Sequence, residues 1–115
     1  MAFISGFLTP VPEARKAEYI DSARNSWPIF KDYGALSMRE NWGVDVPEGT
    51  VTSFPMAVKL EEGEVVVFSW IEWPDKTTAD ACFATMETDP RWKDMTMPFD
   101  GKRMMWGGFE EVFAG

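Results

Sequence analysis

The 115-residue sequence contains no histidine, and that absence decides which chemistry its other side chains can attempt. A Ser-His pair, a Cys-His pair and an imidazole metal site are excluded, so acid–base work falls to Asp, Glu, Lys or Tyr. The one cysteine, Cys82, excludes an internal disulfide and any cysteine-clustered zinc or iron–sulfur centre. It falls on the apolar stripe of a helix with no cation beside it in sequence, which reads as a small inert core residue. No glycine-rich loop of the dinucleotide or P-loop type occurs, and Gly107-Gly108 is too short to cradle a phosphate. No metal and no cofactor is expected.

Two polar clusters remain. Arg39, Glu40 and Asp45 lie on or just beyond an alternating stretch, and alternation sends Arg39 and Glu40 to opposite faces. At most one of them shares the core side with Trp42. A glutamate there, beside Leu36 and Met38, acquires a raised pKa and can serve as a base, so Glu40 and Asp45 are the candidate catalytic groups. The plainer reading of the same residues is an edge-strand salt bridge or a dimer contact. In the second cluster, Asp100-Gly101 is turn chemistry first, and Lys102 or Arg103 is a candidate anion contact. Ser69 interrupts an otherwise apolar strand next to Trp70 and suggests a lined pocket, although backbone satisfaction of a buried serine is the simpler account. The candidate ligand contacts are therefore Arg39, Trp42, Ser69, Trp70, Lys102 and Arg103.

The elements that must position these residues centre on Gly63 to Trp73. This stretch carries Val66, Phe68 and Trp70 on one face and Val65, Val67 and Ile71 on the other. A strand apolar on both sides belongs in the middle of a sheet covered on both surfaces. Residues 2–8 read as a second central strand, broken by Thr9-Pro10-Val11-Pro12. Residues 13–33 carry Tyr19, Ile20, Ala23, Trp27 and Phe30 at helical spacing, with a kink or break expected at Pro28 and Gly34 as the residue that ends the helix. Residues 35–43 alternate with one apolar face, as an edge strand does. Ser53-Phe54-Pro55 predicts a short helix over 54–59, and Pro74-Asp75 opens a helix that buries Ala79, Cys82, Phe83 and Met86. The last strand is expected over 103–113, with Gly107-Gly108 marking a bulge or a close backbone approach.

Composition narrows the partners. The formal net charge is −8, which repels a phosphate backbone, so nucleic acid is not an expected partner. No run approaches the roughly 18 apolar residues of a membrane span, and the opening residues lack the pattern of a secretion signal. A cytoplasmic location is expected. Six tryptophans and eight methionines are ample filler for a core and an interface.

The order strand, helix, strand, strand, helix, strand is the α+β plan known as ferredoxin-like, βαββαβ, within a single domain over residues 1–115. Right-handed crossovers put both helices on one face of a four-stranded antiparallel sheet in the order 4-1-3-2. The other face keeps about three large side chains from the third strand and two from the first, each worth roughly 1.5–3 kcal/mol when buried. A second copy of the sheet, packed face to face in a two-fold homodimer, covers them most simply.

In this setting the chain resembles the YbaA-like family of bacterial proteins of unknown function, in the dimeric α/β barrel superfamily. The resemblance rests on Tyr33-Gly34-Ala35-Leu36 with Arg39-Glu40, on Gly43-Val44-Asp45-Val46-Pro47, on Thr52-Ser53-Phe54-Pro55 and on Gly63 to Ile71. Asp89-Pro90-Arg91, Met97 to Met104 and Gly107-Gly108-Phe109-Glu110 extend it over essentially the whole chain. Asp32 departs from it, standing where the family typically has histidine. The superfamily implies a cleft between sheet and helices that takes small aromatic or polyketide-like molecules. The expected function is binding of a small apolar or aromatic molecule by a homodimer. The alternatives are a cofactor-independent monooxygenase- or isomerase-like enzyme with a carboxylate base, or a structural interaction module.

Overall fold

The computed structural model describes residues 2–115. The first strand, β1 (Phe3–Pro12), leads through a 3-10 turn into helix α1 (Lys16–Asp32). Strand β2 (Ser37–Trp42), the short helix α2 (Phe54–Ala57) and strand β3 (Glu64–Trp73) follow. Helix α3 (Lys76–Ala84), two further 3-10 turns and strand β4 (Met105–Glu110) complete the chain. The four strands form one sheet in the order β2-β3-β1-β4, every neighbour antiparallel. This is the ferredoxin-like α+β arrangement, with the two strands that are apolar on both faces at its centre.

Strand β1 does not stop before its prolines. It pairs with β3 from Phe3↔Trp73 to Pro12↔Glu64, but with β4 only from Phe3 to Leu8. The Glu111 amide donates to the Ala2 carbonyl and the Glu13 amide to the Gly63 carbonyl, so even-numbered groups face β4 and odd-numbered groups face β3. Pro10 and Pro12 therefore lack their N–H groups on the side where β4 has already ended. The expectation of a break at residues 9–12 fails because the missing donors are needed by nothing.

Helix α1 likewise runs on without a break through Pro28. Its end follows the glycine rule: Gly34 has φ +106°, its amide donates to the Lys31 carbonyl, and the Ala35 amide donates to the Phe30 carbonyl. These two bonds close the turn as a Schellman motif. Ser53 caps α2 by accepting from the Met56 amide, and Asp75 caps α3 by accepting from the Thr78 amide. The register of β4 against β1 is continuous, so Gly107-Gly108 makes no bulge. It makes the close approach instead, since a Cβ on Gly108 would run into the ring of Phe3.

Helices α1 and α3 cover the sheet face that carries Phe7, Val11, Val67, Ile71 and Trp73. Trp73 is fully buried there, edge-on to Phe30 and Phe83, and its Nε1 donates to Ser5 Oγ at 3.1 Å. The buried indole thus meets its polar requirement inside the core. Cys82 packs in the same cluster, fully buried, and burial with nearby Asp89 pushes its thiol pKa up to about 11.

The opposite face is only partly covered. Residues 44–60 fold over one corner, where Val58 and Val66 are buried and the Phe54 ring lies 5.9 Å from that of Phe68. Elsewhere Phe68, Met105 and Phe109 remain substantially exposed.

The Gly34 turn gives a direct test of how β2 is set beneath the helices. An alanine Cβ would lie 2.6 Å from Cγ2 of Thr78 and force a left-handed φ on a non-glycine residue. Gly34→Ala is predicted to destabilise the fold by about 1–3 kcal/mol in urea unfolding.

Candidate functional site

Between the inner face of the sheet and the helices lies a cavity of about 230 Å³. The sheet supplies Phe7, Thr9, Met38, Glu40, Ser69 and Ile71 as its floor. Helix α1 contributes Tyr19, Ser22, Ala23 and Ser26, and α3 contributes Phe83. The segment before β4 closes it with Trp92, Met97, Phe99 and Met104.

One end of this apolar space is polar. Strand alternation turns Glu40 inward with Met38 and Trp42, and the register sets it opposite Ser69 on β3. Tyr19, one face of α1 above it, donates its hydroxyl to Glu40 Oε1 at 2.7 Å. The hydroxyls of Ser69 and Thr9 border the same phenol, and Ser69 also lies near the carboxylate. All three of Thr9, Tyr19 and Ser69 are buried.

The electrostatics follow from that packing. Glu40 is itself an exposed residue, because β2 is an edge strand, and the end of its side chain meets the Tyr19 hydroxyl. Desolvation of that end dominates and holds its pKa above the usual glutamate value, only partly offset by the hydrogen bonds from Tyr19 and Ser69. The Tyr19 phenol is pushed far above its ordinary pKa, first by burial and then by the adjacent Glu40. Tyr19 is therefore a fixed donor to Glu40 at neutral pH.

Trp42 stands at the rim. Its ring centroid is 6.4 Å from that of Tyr19, and Lys16 Nζ lies 5.2 Å over the Trp42 ring. Glu40, Ser69 and Trp42 are thus brought together. Arg39 and Trp70 are not, since they pair with one another on the outer sheet face. Asp45 is exposed in the loop after β2, and Lys102 is exposed at the 100–103 turn.

Arg103 sits apart from the cavity in a clamp of its own. Both guanidinium nitrogens reach the Glu64 carboxylate at 2.7 Å, Nε donates to Asp100 Oδ2, and Nη1 also reaches the Lys59 carbonyl. This bidentate pair holds the Glu64 carboxyl below its ordinary pKa and ties the start of β3 to the turn before β4. A comparable clasp joins the end of α1 to the segment after α3. Arg91 pairs with Asp89 and Asp32, while the Tyr33 hydroxyl donates to Asp89 at 2.6 Å. Asp32 thus serves as an ion-pair partner.

Tyr19 and Thr9 were not among the candidates from sequence. Tyr19 reads there as one more apolar stripe residue of α1, and Thr9 falls in the stretch expected to break β1. A hydroxyl on the buried stripe of a helix was the available signal.

The raised Glu40 pKa sets a pH dependence. Its contribution to stability is present below the ordinary glutamate range and is lost as pH rises through the raised folded value. Glu40→Gln keeps an acceptor for Tyr19 but never ionises. It is predicted to melt at or slightly above the wild type at pH 7, with the gain gone below about pH 4, the ordinary carboxylate range, in paired thermal melts.

Comparison with known proteins gives the chain its relatives. The sequence profile of the family described as "Protein of unknown function (DUF1428)" matches residues 2–101. The curated "Uncharacterized protein YbaA" of Escherichia coli K12 is 51% identical over 97% of each chain, as is its counterpart in Shigella flexneri. Among solved structures, a dimeric ferredoxin-like protein from an uncultured marine organism matches over the full length of both chains, with a TM-score of 0.61. At 14% identity that likeness is one of fold. The chain therefore belongs to the DUF1428 family, with YbaA of Escherichia coli among its relatives.

Proposed function

We propose that the protein is a homodimer that binds a small, mostly apolar molecule in the cleft between helices and sheet, with Glu40 at the polar end. The observation that carries this reading is the cavity itself. Its walls are mostly apolar or aromatic, and the polar interruption is organised, with Tyr19 donating to the Glu40 carboxylate and Ser69 and Thr9 close to the same phenol. A few placed polar groups in an apolar hollow are the usual make-up of a small-molecule site.

The dimer rests on the outer face. Phe68 is 46% exposed and Phe109 59% exposed on a surface continuous with Ile4 and Trp70, and a monomer would leave that apolar area in water. A second copy of the same face covers it by two-fold symmetry. The fold relative described as dimeric supports the same arrangement. Arg39 and Trp70 then become interface groups. A single buried thiol and an acidic surface suit a cytoplasmic setting.

Ligand-observed NMR with naphthalene tests the cleft. The wild type is predicted to bind it saturably, and Ala23→Phe, which fills the cavity from α1, to abolish binding while leaving the melting transition in place. Equal binding by the two proteins refutes the site. Phe68→Asp, which places a charge in the outer patch, is predicted to shift the protein to a monomer in sedimentation velocity without unfolding it.

A second reading is supported by the Glu40 carboxyl, whose raised pKa and hydrogen bond from Tyr19 suit a general base acting on the bound molecule. Turnover divides the two readings. An enzyme of the isomerase or monooxygenase type turns over a bound substrate and loses that turnover in Glu40→Gln while still binding naphthalene, whereas a binder shows no turnover in either protein.

A further inference from the structure

The cavity's charge inventory says which ligands its polar end can accept, given the binding reading above. Among the described residues that line it, Glu40 is the one charged side chain, and no lysine or arginine joins it. The nearby arginines are already engaged. Arg103 is held by Glu64 and Asp100, and Arg91 by Asp89 and Asp32. Lys16 points over the Trp42 ring at the rim.

The donor nearest the carboxylate is engaged as well. The Tyr19 hydroxyl donates to Glu40 Oε1 at 2.7 Å, and on the same helix the Ser26 hydroxyl donates to the Ala23 carbonyl. What the polar end has left to offer is acceptor capacity, because a carboxylate has about four lone-pair sites and the Tyr19 bond does not fill them. A ligand group that meets Glu40 must therefore bring a donor. An anionic ligand would place a second negative charge beside Glu40 in a space with no compensating cation.

Charge favours a cationic donor over a neutral one. Any donor gains from the charge on the carboxylate, but an ammonium adds the attraction of opposite charges, which a neutral donor lacks. Six aromatic rings stand around the hollow, from Phe7, Tyr19, Phe30, Phe83, Trp92 and Phe99, and their faces attract cations while burying an apolar body. The net charge of −8 draws cations to the protein at long range.

We propose that the cavity selects a protonated amine carried on a compact apolar or aromatic body, with the ammonium against Glu40 and the body among the rings. Three probes of one shape test it: 2-phenylethylamine, 2-phenylethanol and 3-phenylpropionate, titrated calorimetrically at pH 7 and low salt into wild type and Glu40→Gln. The amine is expected to bind about tenfold or more tightly than the alcohol, and the carboxylate more weakly than either. In Glu40→Gln the amine should lose most of its advantage over the alcohol, which loses less because its bond to the carboxylate involves one charged partner and no ion pair.

Raised salt gives a reading that does not depend on the variant folding, since it should weaken the amine and leave the alcohol unchanged. An amine no tighter than the alcohol in the wild type, or a carboxylate that binds as well as the amine, overturns the amine assignment and leaves the binding cavity intact. Failure of all three probes and of naphthalene overturns the cavity reading and this inference with it.

Discussion

The structure depends on one constraint, the two-sided apolarity of β3. Val67, Ile71 and Trp73 point to the helices while Val66, Phe68 and Trp70 point away, so neither face of the sheet can be left to water without loss. Helices α1 and α3 answer for the inner face. The hollow exists because they do so incompletely: α1 and α3 do not fill the space between them, and the residue 92–104 segment spans it with Trp92, Met97 and Phe99 instead of a helix. The segment over residues 44–60 answers for one corner of the outer face, and the rest is the surface assigned here to a second copy.

The same constraint explains where the polar site falls. A carboxylate is tolerable on the inner face only where the sheet ends, so it lies on the edge strand β2, where Glu40 stays exposed to water. Tyr19 then donates to one of its oxygens from the helix above. The two arginine clamps are structural counterparts of this arrangement. Each holds an irregular segment against a regular one, Arg103 at the start of β3 and Arg91 at the end of α1, and each has its guanidinium engaged.

Much of this was legible in the sequence. Period-two patterning gave the central position of β1 and β3 and the edge position of β2, and the inward turn of Glu40 followed from its sharing parity with Met38 and Trp42. Gly34, Ser53 and Asp75 announced their caps through side-chain and backbone chemistry that acts within a few residues. The failures were of another kind. Pro10 and Pro12 suggested a break because the proline penalty depends on whether a neighbouring strand needs the donor, and only the register of β4 reveals that it does not. Pro28 suggested a kink because proline withholds a helix donor, yet α1 runs on through it. Arg103 looked like a free cation for an anion because its partner Glu64 lies 39 residues away. Tyr19 was hidden by its own aromatic ring, which satisfies the helix stripe whether or not its hydroxyl has a task.

The account's central claim is that this chain works as a pair of copies, each with an occupied or fillable hollow under its helices. A native mass spectrum of protein purified without refolding addresses both halves at once. The account predicts a species of two chains at micromolar concentration, with a reproducible added mass of up to one small molecule per chain that is lost on denaturation. A single-chain species under those conditions would contradict it, because the outer face of β3 would then stand in water without a partner.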